Sequence, residues 1–267
     1  MDLEKVTKEV VQLCLKDGAY IRQQLDLLKA KDIELKDEHN FVTYVDRTSE
    51  EMLVEELSRL TPGCGFIAEE NDYGRSDSEL KWVIDPLDGT TNFVHGIPLF
   101  AISISLMEGD KVVIGVVHEV SRIESFYSWK GGRAYVNGIE IRVSAAKTLK
   151  DSLLVTGFPY VREHILDEYM NLFKAYIQRT QDLRRLGSAA TDLAYVAAGR
   201  FEGFYEISLN AWDVAAGSFL VQQAGGKVTD FHGDDDFIFG RSLISSNGFV
   251  HEEMLSVAKK FYKINIF

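Results

Sequence analysis

Carboxylates standing where apolar strands end are the residues of this chain best suited to chemistry. The sharpest case is the run Trp82-Val83-Ile84-Asp85-Pro86-Leu87-Asp88-Gly89-Thr90-Thr91-Asn92-Phe93. A buried strand over 82–84 leads into Asp85, and Pro86, which has no N–H, forbids continued strand pairing. The chain must turn there, so Asp85 and Asp88 can converge. Gly89-Thr90-Thr91 reads as a helix opening whose unpaired N–H groups can hold a phosphate. Two carboxylates beside such a site would repel a phosphate, and a divalent cation resolves the conflict. Oxygen-only donors suit a hard ion such as Mg²⁺.

Further acids fall at similar places. Glu69 ends the apolar run 65–68, as Asp85 ends its own, and neighbouring strand ends of one sheet can face one edge. Asp213, in Asn210-Ala211-Trp212-Asp213, sits in the first turn of a helix, where a carboxylate complements the helix dipole; taken alone it reads as a cap. Glu206 ends the strand before it, placed to accept hydrogen bonds from substrate hydroxyls or to face solvent. Leu186-Gly187-Ser188-Ala189-Ala190 is a small-residue entry into another helix, open either to a ligand or to close packing. Together Glu69, Asp85, Asp88, Glu206 and Asp213 mark strand ends and helix starts, where open α/β sheets bind ligands.

The elements that must position these residues can be read from periodicity. Leu3, Val6, Val10, Cys14, Ile21, Leu25 and Leu28 recur at helical steps, and a second helix is expected over 48–60, stopped by Thr61-Pro62-Gly63. The middle is β-rich: 65–68, 81–84, 101–106, 111–118 and 123–129 read as strands, with turns at Glu108-Gly109-Asp110 and Asn137-Gly138. After Ser144 strands and helices alternate (152–156, 162–179, 182–186, 188–198, 201–205, 211–224, 227–230), which is an α/β layer. The expected division is an N-terminal α+β half, 1–145, carrying most of the metal ligands, and a C-terminal α/β half, 146–267, completing the site. Asp234-Asp235-Asp236 reads as a solvated turn.

Bulk properties narrow the function class. The chain has 267 residues, 46% of them hydrophobic, enough for a sizeable core. A net charge of −12 weighs against a nucleic-acid surface, yet an acidic protein binds a phosphorylated substrate if metal ions bring the positive charge. Cys14 and Cys64 do not make a disulfide scaffold. Residues 1–10 mix acids and bases without an apolar stretch, and the run 99–107 is too short for a bilayer. A cytoplasmic protein with no membrane segment is expected. The six histidines show no zinc spacing, and there is no G-x-S-x-G elbow or G-x-x-x-x-G-K-[ST] loop.

At the residues just quoted the sequence resembles the inositol monophosphatase family over nearly its whole length. One family motif is similar to 82–93 and the other to 212–226 (WDVAAGSFLVQQAGG), while Ala68-Glu69-Glu70 matches the upstream metal glutamate. The resemblance implies a layered αβαβα sandwich and a homodimer. It implies two or three Mg²⁺ ions per site, held by Glu69, Asp85, the Leu87 carbonyl, Asp88 and Asp213. Gly89 and Thr90 would bind phosphate. Thr90 with Asp46, beside Glu69, would orient the attacking water. Asp88, Gly187, Ser188, Ala189 and Glu206 would contact the polyol, and Lys36 matches a mobile-loop lysine. The implied reaction is in-line hydrolysis of a phosphate monoester, inositol 1-phosphate first, with Li⁺ inhibition and no phosphoenzyme. The chain departs from the family pattern at Tyr44. Relatives acting on nucleotide 3′-phosphates or histidinol phosphate tend to carry a basic residue where Thr91 stands, and fructose 1,6-bisphosphate is a further alternative. Some bacterial relatives also resemble partners of the transcription machinery, for which Arg184-Arg185 is a candidate surface; the pair reads equally as part of a dimer interface or as a solvated or ion-paired strand end.

Overall fold

A computed structural model describes residues 1–25, 27, 33–37, 40–159 and 165–261; the side chains of 33–37 and 40–42 lie outside that description. Helix α1, Leu3–Leu25, buries Val6, Val10, Cys14 and Ile21 along the stripe its periodicity predicts. A hairpin of β1, Ile33–Asp37, and β2, Asn40–Thr43, follows. Lys36 falls in β1, so its side chain is among those not described.

Helix α2, Tyr44–Leu60, starts a turn earlier than expected. Thr43 Oγ1 accepts from the Val45 N–H, and Asp46 accepts from the Thr43 N–H at 2.8 Å, a capping box that apolar periodicity does not reveal. Leu53 and Leu57 are fully buried, worth about 1.5–3 kcal/mol each. The Trp82 indole donates to Thr61 Oγ1 at 2.7 Å and fastens the helix end to the sheet.

A seven-stranded sheet follows in sequential order. Its strands are β3 (Gly65–Ala68), β4 (Leu80–Asp88), β5 (Ala101–Glu108), β6 (Lys111–Glu119), β7 (Glu124–Trp129), β8 (Tyr135–Val136) and β9 (Ile139–Glu140). Only β3 and β4 pair in parallel; the other neighbours are antiparallel. Strand β4 does not stop at Ile84. It pairs Asp85 with Ser103 and Asp88 with Ala101, and the register shifts between them. Pro86 therefore makes a bulge rather than an end: the two residues that skip pairing let the chain bend and rejoin β5. The five-residue helix α3, Thr90–Val94, begins directly afterwards.

The second sheet has the order β11-β10-β12-β14-β13. It comprises β10 (Leu153–Thr156), β11 (Asp182–Arg184), β12 (Gly203–Ile207), β13 (Lys227–Thr229) and β14 (Ser242–Ser246), separated by α4 (Leu166–Ile177), α5 (Ala189–Ala197) and α6 (Ala211–Gln223), with α7 (His251–Phe261) last. β10, β11 and β12 are parallel, while β14 runs antiparallel to both its neighbours.

Helices α1 and α2 pack on one face of the first sheet; α5 and α6 lie between the two sheets; α4 and α7 cover the far face of the second. The order is αβαβα, as expected. Among the described residues the apolar cores match it: one under α1 and α2, one around α5 and α6, one beneath α4 and α7, and a smaller one between β4, β5 and α6. Among the described residues no helix is long and apolar enough to cross a membrane.

Candidate active site

Strand β4 and its bulge place the first two carboxylates. Asp85 is buried, and one of its oxygens accepts the Leu87 N–H at 2.9 Å, closing the bend. Asp88 Oδ2 accepts from Ser188 Oγ at 2.6 Å and from the Ala190 N–H at 2.7 Å, which ties the first sheet to the start of α5. Asp213, in the first turn of α6, accepts the Asn210 N–H at 2.6 Å. Its capping role is thus real and coexists with a position in the site. One carboxylate oxygen from each of Asp85, Asp88 and Asp213 lies within 4.8 Å of the other two.

Such crowding has an electrostatic cost. Burial, then the charges of Glu69, Asp88 and Asp213, push Asp85 well above the ordinary carboxylate range. Burial, then Glu69 and Asp88, do the same to Asp213. Burial lifts Asp88 to about 6 against the opposing pull of its bonds from Ser188 and Ala190. Glu69 is close enough to bear on all three. An array of oxygen donors, Asp85 buried and the others half-buried, that repel one another fits a hard divalent cation, which would restore the charged forms. Zinc and softer ions prefer nitrogen or sulfur donors, and none stands in this cluster.

Beside the acids, Gly89 caps α3 with φ +94, and a Cβ on it would meet the Gly187 carbonyl at 3.1 Å and the Leu99 carbonyl at 3.2 Å. Only glycine suits both the conformation and the close approach. Thr90 Oγ1 lies 3.0 Å from Asp46 Oδ1 and 3.0 Å from the Leu87 carbonyl. Asp46 is itself fixed by the N–H and hydroxyl of Thr43, at 2.8 and 2.6 Å. Burial pushes its carboxyl up, and those bonds pull it back. Tyr44 donates to Gln24 at 2.8 Å and pins α2 to α1.

Gly187, Ser188, Ala189 and Glu206 line a pocket with Asp88 and Asp213. Glu206 is 7% exposed, and burial drives its carboxyl well upward against the pull of Arg185. The structure therefore brings Asp46, Glu69, Asp85, Leu87, Asp88, Gly89, Thr90, Gly187, Ser188, Ala189, Glu206 and Asp213 together around the end of β4 and the starts of α3, α5 and α6. Lys36 alone of the expected residues is not placed.

Four site residues were not legible in the sequence. A Cβ on Gly157 would fall 2.1 Å from Glu206 Oε1, so glycine there makes room for that carboxylate; its place just past a strand was the available signal. Asn92 donates to the Leu99 and Leu186 carbonyls at 2.8 and 2.9 Å, joining α3 to the Gly187 loop. Arg185 lines the pocket over the Phe158 ring, whereas its neighbour Arg184 pairs with Asp182 at the surface. Asp192 is buried in the pocket wall with Oδ1 lacking a hydrogen-bond partner.

The chain is similar to known proteins throughout. The model of the "Inositol monophosphatase family" matches residues 2–263. An inositol-1-monophosphatase of Mesorhizobium japonicum is 37% identical over 252 residues, covering 94% of this chain and 95% of that protein. The Nus factor SuhB of Pseudomonas aeruginosa is 41% identical over 235 residues, 86% of this chain and 87% of its own length. The crystal structure of extragenic suppressor protein suhB from Bartonella henselae superimposes with a TM-score of 0.90 at 36% identity, covering 96% and 99% of the two chains. A structure of SaIMPase-II with inositol monophosphate bound gives a TM-score of 0.78 at 26% identity, covering 94% and 92%. With its layered fold, its carboxylate cluster and this likeness over the whole length, the chain belongs to the inositol monophosphatase family.

Proposed function

We propose that this protein is a Mg²⁺-dependent phosphatase that hydrolyses inositol 1-phosphate to inositol and phosphate. The observation that carries the reading is the meeting of Asp85, Asp88 and Asp213 within 4.8 Å, beside the Gly89–Thr90 turn. Asp85, Asp88, Asp213, Glu69 and the Leu87 carbonyl would hold two or three ions. Bound there, Mg²⁺ supplies Lewis acidity, which lowers the pKa of water and offsets charge on the phosphate and the leaving alkoxide.

The protein's own residues do the rest. The Thr90 hydroxyl, held by Asp46, orients the attacking water in line with the phosphorus–oxygen ester bond, and Glu69 takes the water's proton; that ester bond breaks as the new one forms, and the leaving alkoxide takes a proton from solvent. The Gly89 and Thr90 N–H groups donate to the phosphate oxygens, and the short turn that carries them directly follows Asp88. Glu206 accepts hydrogen bonds from polyol hydroxyls, with Gly187, Ser188 and Ala189 shaping that wall and Gly157 leaving it open. No side chain is needed as a nucleophile. The expected setting is a cytoplasmic homodimer inhibited by Li⁺.

Phosphate release from inositol 1-phosphate, glycerol 2-phosphate, fructose 1,6-bisphosphate, histidinol phosphate and 3′-phosphoadenosine 5′-phosphate tests this, each with Mg²⁺, EDTA and Li⁺. Release from inositol 1-phosphate only with Mg²⁺ supports the reading. Preference for another ester would keep the chemistry and move the pocket assignment, and no release from any would overturn it.

A second reading is favoured by the likeness to a Nus factor: a binding role in a transcription complex, acting through a surface rather than the acidic site. If that is the main role, an Asp88→Asn chain still complements a deletion strain; loss of complementation rejects it.

A further inference from the structure

We propose that Glu50 is a positioning residue for the metal site, holding Glu69 in register with Asp46 and Asp85. This rests on the metal reading above. Glu50 is fully buried on α2, and both its oxygens are engaged. Oε2 accepts the Glu70 N–H at 2.8 Å. Oε1 accepts the Asn71 N–H and side-chain amide, each at 2.9 Å, and the Tyr73 hydroxyl at 3.2 Å.

The need for such a clamp follows from the sheet. β3 is its edge strand, and its pairing with β4 ends at Ala68 opposite Ile84. Glu69 is the first residue beyond the ladder, as Asp85 is on β4. Asp85 is carried on through the bulge and paired with Ser103. The β3–β4 ladder ends at Ala68, and the chain directly after Glu69 is fastened to Glu50. A buried carboxylate is costly unless its oxygens are filled. Here four neutral donors fill them, and bonds to a charged acceptor are the stronger kind.

The same face of α2 makes two more links. Asp46, Ser49 and Glu50 stand at i, i+3 and i+4 and so line one side of the helix. Asp46 engages Thr90, and Ser49 Oγ lies 3.4 Å from the Pro86 carbonyl in the bulge. One rigid helix thus addresses the Thr90 turn, the β4 bulge and the end of β3 together. Glu50 secures the last of these, which places Glu69.

The test is calorimetric titration of Mg²⁺ or Mn²⁺ into the metal-stripped protein, alongside the Mg²⁺ dependence of phosphate release. The chains compared are the unmodified protein, Glu50→Gln, Asn71→Ala and Leu57→Ala. Glutamine keeps the size but turns an N–H toward the Glu70 N–H. Glu50→Gln is expected to weaken metal binding by about 10-fold, the scale of lost outer partners of a metal site, and to raise the half-saturating Mg²⁺ similarly. At saturating metal its rate recovers toward that of the unmodified chain. Asn71→Ala, on the surface, shifts binding in the same direction by less, and it decides the matter if Glu50→Gln does not fold. Leu57→Ala lowers the melting temperature without moving metal affinity. Unchanged binding in Glu50→Gln, or in Asn71→Ala should the first not fold, overturns the proposal. So does a shift in Leu57→Ala as large as that in Glu50→Gln, which would make the effect one of stability. Binding is read without turnover, so absence of phosphatase activity in every chain would count against the proposed function and leave Glu50 still tested.

Discussion

The two walls of the site are built differently. On the side of β4 and α2, Asp46, Asp85 and Asp88 each receive hydrogen bonds from backbone or hydroxyl donors at 2.6–3.0 Å. Their positions are set before any ligand arrives. On the side of α5 and β12, Asp192 Oδ1 is buried without a partner, and Glu206 occupies space that only Gly157 leaves open. One wall is finished and the other leaves polar capacity for something to complete. That division suits a rigid metal platform facing a pocket that reads the substrate.

Substitutions on the two walls should separate accordingly. Asp88→Asn, on the finished wall, is expected to lower kcat by more than about 100-fold for every phosphate ester, since it exceeds the loss of an outer partner. Glu206→Gln is expected to raise KM for a polyol phosphate about tenfold while leaving kcat, and the hydrolysis of an aromatic ester without ring hydroxyls, nearly unchanged. Equal losses in kcat from both, on both kinds of substrate, would break the distinction. Steady-state kinetics on the two esters reads it out.

The distinction is also visible in what the sequence discloses. Asp85, Asp88, Gly89 and Thr90 are legible because strand, proline bulge and helix start are contiguous, so local chemistry alone puts them together. Asp213 is legible as a helix cap, and only its neighbours across the sheets make it more. Glu50, Asp17 and Asp192 are different. A single acid in a helix reads as solvated or as a cap; the burial of these three depends on which partner layer arrives, and that is a tertiary fact. Gly157 and Asn92 act through contacts with residues about 50 and 94 positions away. The fold was legible for the same reason as Asp85: strand alternation and helix periodicity are local. The α2 start is not, because its cap depends on Thr43 and Asp46 rather than on apolar spacing, and neither the β1–β2 hairpin nor α7 follows from the spacing read above.

A smaller effect probes the support beneath the rigid wall. Asp17 of α1 accepts from Ser49 Oγ at 2.5 Å, and burial pushes its carboxyl up to about 7, against the pull of that bond. The folded chain therefore keeps a proton between about pH 4 and 7 that an unfolded aspartate releases. Stability from this group is fullest below pH 4, falls as pH rises through 7, and does not return above it. Asp17→Asn should melt a few degrees higher than the unmodified chain at pH 8, with the gain gone at pH 4; thermal melts across that range check it. A gain that grew toward low pH would contradict the sign.

The central claim is that Asp85, Asp88 and Asp213 form a divalent-cation site. Anomalous diffraction from crystals grown with Mn²⁺ tests it most directly. The account predicts an anomalous peak within bonding distance of oxygens from all three carboxylates, absent from crystals of Asp88→Asn. A protein that takes up no Mn²⁺ there, or takes it up elsewhere with the three carboxylates left apart, would contradict it.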